Sequence, residues 1–202
     1  MKNTKTPWNH NFAYNGWISK VVGKRNRILD VGCGDGTLAH FLRTPDNHIL
    51  GIDPSPSSIQ RAKEQNEYDN VDFVQTSFED FNAENTKFDA IIFVASIHHM
   101  NMKEAIAKAK SCLEKNGVLI IVGLAKPASF LDWTIEVLRV VPSGVISAIK
   151  NNTTSEELNI DVSYDIPKMS EVRNICAKQL CGHTLQYGLH YRYLLTWENK
   201  YL

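Results

Sequence analysis

The 202 residues carry no excess of charge of either sign, since 22 Lys and Arg balance 22 Asp and Glu. A chain with no net charge at neutral pH has no electrostatic hold on a polyanion or an acidic lipid surface. Neither a nucleic acid nor a membrane is therefore expected as partner. The densest basic cluster, Lys20 to Arg27, is short and reads as a solvated face. Cysteine is also scarce. Cys33, Cys112, Cys176 and Cys181 show no paired C-x-x-C spacing, which argues against a structural zinc site, and no metal is expected. They read as reduced, small hydrophobic residues, which fits a cytoplasmic setting. Unbroken apolar runs are missing too. Met1 to His10 is polar and lacks the apolar core of a secretory signal. Val118 to Ile149, the most apolar stretch, is cut by Lys126, Pro127, Asp132, Glu136, Arg139 and Pro142, so no membrane span fits. There is no internal repeat and no low-complexity tract. What remains is a chain long enough for one domain with a full core and short for two.

Short β-rich runs alternate with helical stretches, the pattern of a parallel sheet covered on both faces. Arg27 to Val31 reads as a first strand, Thr37 to Arg43 as a helix with Leu38, Phe41 and Leu42 turned inward, and His48 to Asp53 as a second strand. Ser55 is placed to cap a helix over Ser57 to Gln65, with Pro56 preset for its first turn. Val71 to Gln75 and Phe88 to Val94 read as the third and fourth strands. Asn101 with Glu104 resembles a capping box, opening a helix to about Leu113 that Asn116-Gly117 closes. Val118 to Val122 is then a fifth strand. Ala128 to about Lys150 is apolar and helical, broken near Pro142 and Gly144, and Asn151 to Tyr164 reads as a loop. Met169 to Leu180 is a helix, followed by a closing pair of strands, His183 to Gln186 and Tyr191 to Trp197. The expected fold is a doubly wound, Rossmann-like α/β domain with a seven-stranded sheet, mostly parallel with an antiparallel last strand. Residues 1–26 are expected as a helical lid, 27–123 as the ligand-binding core, 124–168 as a helical insertion, and 169–202 as the closing helix and strands.

In that arrangement the turn Asp30-Val31-Gly32-Cys33-Gly34-Asp35-Gly36, Asp53 and the segment after Val94 all lie at the carboxyl ends of parallel strands, where open α/β sheets bind ligands. Glycines without a Cβ let the backbone turn sharply and approach a ligand closely. A dinucleotide fingerprint would be G-x-G-x-x-G, with its third glycine one turn into the helix. Here the spacing is G-x-G-x-G, and Thr37 stands at that third place. Asp53 follows the turn by about 20 residues, where a carboxylate can accept both hydroxyls of a ribose. These two features support a nucleotide-like ligand and do not by themselves separate an adenosyl group from a dinucleotide.

Taken in order, Ile28-Leu29-Asp30-Val31-Gly32-Cys33-Gly34-Asp35-Gly36-Thr37-Leu38, Gly51-Ile52-Asp53-Pro54-Ser55, Phe88-Asp89-Ala90-Ile91-Ile92 with Ile97-His98-His99-Met100, and Leu113-Glu114-Lys115-Asn116-Gly117-Val118-Leu119 resemble the successive motifs of class I S-adenosylmethionine-dependent methyltransferases. The match spans about Arg27 to Gly123. Looser likenesses at Trp8 to Tyr14 and Tyr191 to Trp197 resemble the small-molecule branch, of the methyltransferase type 11 kind. The resemblance implies S-adenosylmethionine as cofactor and a small-molecule methyl acceptor. It also implies that Asp30, Gly32, Cys33, Gly34 and Gly36 hold the methionine end, Asp53 the ribose, and Pro54 the adenine, with carbonyls of Val94 and Ala95 near the methionine ammonium. Ser77 stands where many relatives carry an Asp for the adenine amino group, so Phe78 stacking and backbone amides are expected to matter more.

Methyl transfer from a sulfonium expels a neutral thioether, so the protein must exclude water and align the reactants, and needs a base only if the acceptor loses a proton. His98 and His99, just past the fourth strand, are the candidate catalytic bases, His98 ahead of His99. Trp8, His10 and Tyr14 are expected as a lid over the site, or else as part of a first helix packed on the core. Phe130, Trp133, Ile135, Val137 and Leu138 form an apolar helical stripe in the insertion; Phe130 and Trp133 are expected to line an acceptor pocket suited to a small, partly apolar molecule. A monomer or homodimer is expected. Two alternatives stay open: a non-catalytic adenosylmethionine-binding protein, and a nicotinamide-dependent oxidoreductase, against which the missing third glycine argues.

Overall fold

The computed structural model describes residues 13–83, 86–126, 166–189 and 191–200. Its described strands form one seven-stranded sheet built on a run of β-branched and aliphatic residues. These strands are β1 (Arg27–Val31), β2 (His48–Asp53), β3 (Val71–Gln75), β4 (Phe88–Val94), β5 (Leu113–Leu124), β6 (Thr184–Tyr187) and β7 (Arg192–Glu198). Their order is β3-β2-β1-β4-β5-β7-β6. β1 pairs in parallel with β2 and β4, β3 with β2, and β5 with β4. β7 runs against both β5 and β6, so the antiparallel element is the last strand, as expected.

Both faces are covered. Residues alternate along each strand between two cores, as the two-residue period of a pleated strand requires. Leu29, Val31, Ile91, Phe93, Leu119 and Ile121 face one core with Ile106 of α4 (Met102–Cys112) and Val172 of α5 (Met169–Gln179). Ile28, Ile92, Ile120 and Val122 face the other with Ile18 of α1 (Asn15–Val22), Ala39 of α2 (Thr37–Leu42) and Ile59 of α3 (Pro56–Glu64). The central strands β1 and β4 are buried on both sides, which explains their continuous apolar runs.

Helix starts follow the caps read from sequence. Ser55 Oγ accepts from Ser58 N at 3.3 Å with Pro56 opening α3. Asn101 Oδ1 accepts from Lys103 N at 3.1 Å, while its amide reaches Glu104 Oε1 at 3.0 Å. Four expectations are corrected. Phe41 is 52% exposed, because the short α2 buries Ala39 and Leu42, and Phe41 falls off that face. Asn116-Gly117 does not close α4, which ends at Cys112; β5 begins at Leu113, pairs first with Phe88, and kinks where Asn116 takes a φ of 64°. Asn199 stitches that kink, accepting from Asn116 N at 2.8 Å and donating to Gly117 O at 2.9 Å. The closing strands lie one residue later than read, at Thr184–Tyr187 and Arg192–Glu198. All four cysteines are free thiols, but Cys181 is exposed rather than packed as a hydrophobe. No helix among the described residues is long and apolar enough to cross a membrane.

Candidate active site

The carboxyl ends of β1, β2, β3 and β4 open onto a groove of about 460 Å³, lined among others by Gly32, Asp53, Pro54, Thr76, Ser77, Phe78, Ala95, Ser96, His99 and Met100. Its size is that of a small-molecule site. The turn after β1 forms its centre. Gly32 N and Cys33 N both donate to Ile52 O, at 2.8 and 3.0 Å, which folds the turn back over the end of β2. Gly32 has a φ of 74°, and a Cβ there would lie 2.4 Å from Ser96 Cβ. Gly34 has a φ of 56°, yet a Cβ on it would meet nothing within 4 Å. The first glycine is therefore required by packing, and the second leaves the backbone bare beside open space.

Asp53 is the clasp of this turn. Its Oδ2 accepts from Gly34 N at 3.0 Å and its Oδ1 from Ser55 N at 2.9 Å. Each carboxylate oxygen offers two acceptor positions, so one on each is left for a ligand hydroxyl.

Asp30 sits below the turn and is 1% exposed, and its Oδ2 has no hydrogen-bond partner. Burial, and then the nearby Asp53 charge, push its pKa from 3.8 up to about 7. A buried carboxyl without a partner is costly. A cationic group arriving beside it would repay that cost, which fits the ammonium of an amino acid. Cys33 is buried as well, and burial followed by the charges of Asp30 and Asp53 holds its thiol far above its usual range, so it is a packing residue and not a nucleophile.

After β4 the chain departs from strand geometry at Ala95, whose φ of 52° is left-handed for a residue with a Cβ. Ala95 N donates to Val122 O at 2.8 Å and Ser96 Oγ to Val31 O at 2.6 Å, which lock the reversal to β5 and β1. A single 3-10 turn, Ile97–His99, follows with the two imidazoles 4.0 Å apart between centroids. His99 is exposed and lines the groove. His98 is half-buried with Nδ1 lacking a hydrogen bond; burial, then His99 and Arg192, lower its pKa to about 4, so it is neutral at pH 7. Geometry therefore favours His99 over His98 as the group facing a substrate, the reverse of the order read from sequence.

At the outer end of the groove Ser77 Oγ donates to Asp80 Oδ2 at 2.8 Å. Phe78 is 3% exposed and meets Phe93 edge-on with centroids 5.2 Å apart, so most of its ring is core. Val94 ends β4 in register with Val122. Tyr14 is buried: its hydroxyl donates to Leu189 O at 2.9 Å and accepts from Leu189 N at 2.7 Å, tying the start of α1 to the turn before β7. Trp8, His10, Phe130 and Trp133, with most of the expected insertion, lie outside the described residues. No group of three or more metal-ligating side chains occurs among the described residues. Ser96 and Thr76 line the groove without having been singled out; only the tertiary fold brings their segments to one edge, and no local spacing marks them.

Fold and groove together define a doubly wound α/β protein with a cleft at its strand ends, beside a glycine turn held by an acidic clasp. A family of methyltransferase domains matches residues 23–191. The chain belongs to this family, the class I S-adenosylmethionine-dependent methyltransferases. It is similar to an uncharacterized methyltransferase of Mycobacterium bovis, 24% identical over 195 residues that cover 95% of this chain and 97% of that one. Among solved structures it is similar to the plantazolicin methyltransferase BpumL in complex with SAH, with a TM-score of 0.67 at 17% identity, covering 95% of this chain and 84% of that one. N-methyltransferase NodS from Bradyrhizobium japonicum, in complex with S-adenosylhomocysteine, gives a TM-score of 0.62 at 16% identity over 94% of this chain and 85% of that one.

Proposed function

We propose that this enzyme methylates a small-molecule acceptor, with the cofactor in the groove between the glycine cradle and Asp53. The observation that carries this reading is the convergence of bare backbone at Gly34, two spare acceptor positions on Asp53 and the orphaned Oδ2 of Asp30 along one edge. They fit, in that order, a close-packed chain, a ribose diol and an ammonium. Pro54 and the Ser77–Phe78 segment would flank the base, and Val94 and Ala95 would adjoin the amino-acid end. When bound, the cofactor supplies a methyl group on a sulfonium whose leaving group is a neutral thioether.

The chain's own residues then have three tasks. The turn clasped by Asp53 holds the site in one geometry, which is worth much of the acceleration when reactants need only alignment. The apolar rim of Ala95, Met100 and Phe78 limits water. An imidazole nitrogen of His99 would accept a proton from an acceptor hydroxyl or amine, with neutral His98 tilted against it and adding no charge at pH 7. Two relatives point the same way in their names: the plantazolicin enzyme was solved with a desmethyl plantazolicin analogue, and a Leptothrix cholodnii enzyme is a ubiquinone biosynthesis O-methyltransferase.

The test is calorimetric titration with S-adenosylmethionine and with NAD, followed by release of S-adenosylhomocysteine in the presence of a fractionated metabolite extract. Binding of the first ligand alone and turnover by a low-mass fraction support the reading. Tight binding with no turnover by any fraction would turn it into that of a binding protein, and no binding would remove it.

A further inference from the structure

The strand order β3-β2-β1-β4 lays the groove out as a line. Asp53, at the end of β2, marks the sugar; the glycine turn after β1 lies on one side of it, and Thr76 to Glu79, after β3, lie on the other. With the amino-acid end on the glycine turn, the base falls against Thr76 to Glu79. This segment is pinned from outside: Lys108 Nζ donates to Glu79 O at 2.8 Å, and Phe81 N donates to Ser77 O at 2.9 Å.

Both hydroxyls on this wall have spent their protons on the segment itself. Thr76 Oγ1 donates to Ser77 O at 3.1 Å, and Ser77 Oγ donates to Asp80 Oδ2 at 2.8 Å. Ser77 Oγ also accepts from Asp80 N at 3.0 Å, which leaves one lone pair on an oxygen that has no proton to offer. A carboxylate can only accept, so the direction of the Ser77–Asp80 bond cannot reverse. Asp80 is exposed and Ser77 half-buried, so Asp80 does not itself line the groove.

We propose that Asp80 is a positioning residue for base selection: by taking the Ser77 proton it makes Ser77 Oγ, on the groove wall, a pure acceptor, which receives a 6-aminopurine and rejects a 6-oxopurine. The inference rests on the cofactor reading above. A 6-amino group donates into the spare lone pair of Ser77, whereas a 6-carbonyl meets that lone pair with another and leaves both unpaired, the situation in which polar sites discriminate most strongly. Replacing Asp80 by Ala removes the acceptor and frees the Ser77 proton to turn toward the base, whereas Asn keeps an amide oxygen able to take that proton.

The experiment compares affinities for S-adenosylhomocysteine and S-inosylhomocysteine, which differ at C6 and in the proton the oxo base carries on N1, in the full chain and in Asp80→Asn, Asp80→Ala, Ser77→Ala and Glu79→Gln, so that the change in the ratio between variants reports on Ser77. Thermal melting is recorded for each. The wild-type chain is expected to favour the amine by at least about tenfold, the scale set by leaving one buried polar group unpaired. Asp80→Ala and Ser77→Ala are each expected to lower the ratio at least severalfold, while Glu79→Gln leaves it in place and Asp80→Asn lowers it less than Asp80→Ala. A purely structural role for Asp80 would weaken both ligands equally and preserve the ratio, which overturns the inference. So does a ratio that follows Glu79, whose carboxylate is the competing acceptor on the same wall. A wild-type chain that binds neither ligand overturns the cofactor reading itself, and only that outcome does.

Discussion

Asp30→Asn tests the electrostatics of the site most directly. The wild-type carboxyl is 1% exposed, lacks a partner on Oδ2 and has its pKa moved from 3.8 to about 7, by burial first and by Asp53 second. A displacement of that size corresponds to about 4 kcal/mol of preference for the protonated form in the native state. The sign follows from proton counting. Between pH 3.8 and about 7 the native chain retains a proton that the unfolded chain has lost, so stability falls as pH rises through this window and levels off above it. From pH 5 to pH 8 the loss amounts to about 3 kcal/mol, or about 6–12 °C in melting temperature for a chain of this length. Asn carries no charge at any of these pH values. The melting temperature of Asp30→Asn relative to wild type should therefore rise by that amount between pH 5 and pH 8, measured by differential scanning fluorimetry without ligand.

The same residue makes a second, independent signal. An ammonium delivered beside Asp30 favours its ionised form, so S-adenosylhomocysteine binding near pH 7 should expel about half a proton per site in the wild-type chain, and none in Asp30→Asn. Calorimetry in two buffers of different protonation enthalpy reads this number. Melting curves that keep a constant offset from pH 5 to pH 8, or proton release unaltered in the variant, would show that Asp30 is neither destabilised by burial nor addressed by the cofactor.

Asp53→Asn should weaken S-adenosylhomocysteine binding by roughly tenfold to a hundredfold in calorimetry, since an amide nitrogen must face either Gly34 N–H or Ser55 N–H and the turn loses a charged acceptor; unchanged affinity would remove Asp53 from the ribose. His99→Ala should lower kcat by about a hundredfold or more once an acceptor that loses a proton is in hand, with cofactor affinity retained and the larger effect at His99 than in His98→Ala. The reverse ranking would restore His98 as the base. Gly32→Ala and Gly34→Ala should separate. The first places a Cβ 2.4 Å from Ser96 Cβ and should lower the melting temperature sharply, whereas the second meets open space and should lose about 1–2 kcal/mol of stability to its left-handed backbone, with a greater loss of cofactor affinity. Equal effects of the two on folding would contradict the cradle.

Much of the site was legible because its parts are local. Ser55-Pro56 and Asn101 cap helices through their own neighbours, and the glycine turn is a contiguous stretch whose positive φ values at Gly32, Gly34 and Gly36 only glycine adopts cheaply. Where reading failed, distant contacts had overridden local signals. Asn116-Gly117 has the composition of a helix stop, yet Asn199, far along the chain, holds it as a kink in β5. Phe41 matches an inward helical position, but α2 is too short to turn that face onto the sheet.

The amino-acid sequence by itself determined the strand-and-helix alternation, the ligand edge, the glycine turn and the acidic residue at the end of β2, because each depends on periodicity or on residues a few places apart. Tertiary structure alone decided which charges are buried and which histidine meets the groove. Asp30 and Asp53 look equivalent as letters. Burial makes the first a carboxyl near 7 with an orphaned oxygen, while backbone amides from its own turn and from the next one make the second a clasp. His98 and His99 are adjacent in the chain, and the left-handed turn at Ala95 sends one toward Arg192 and the other to the ligand edge. Desolvation and long-range charge act through space, and only the folded chain sets those distances.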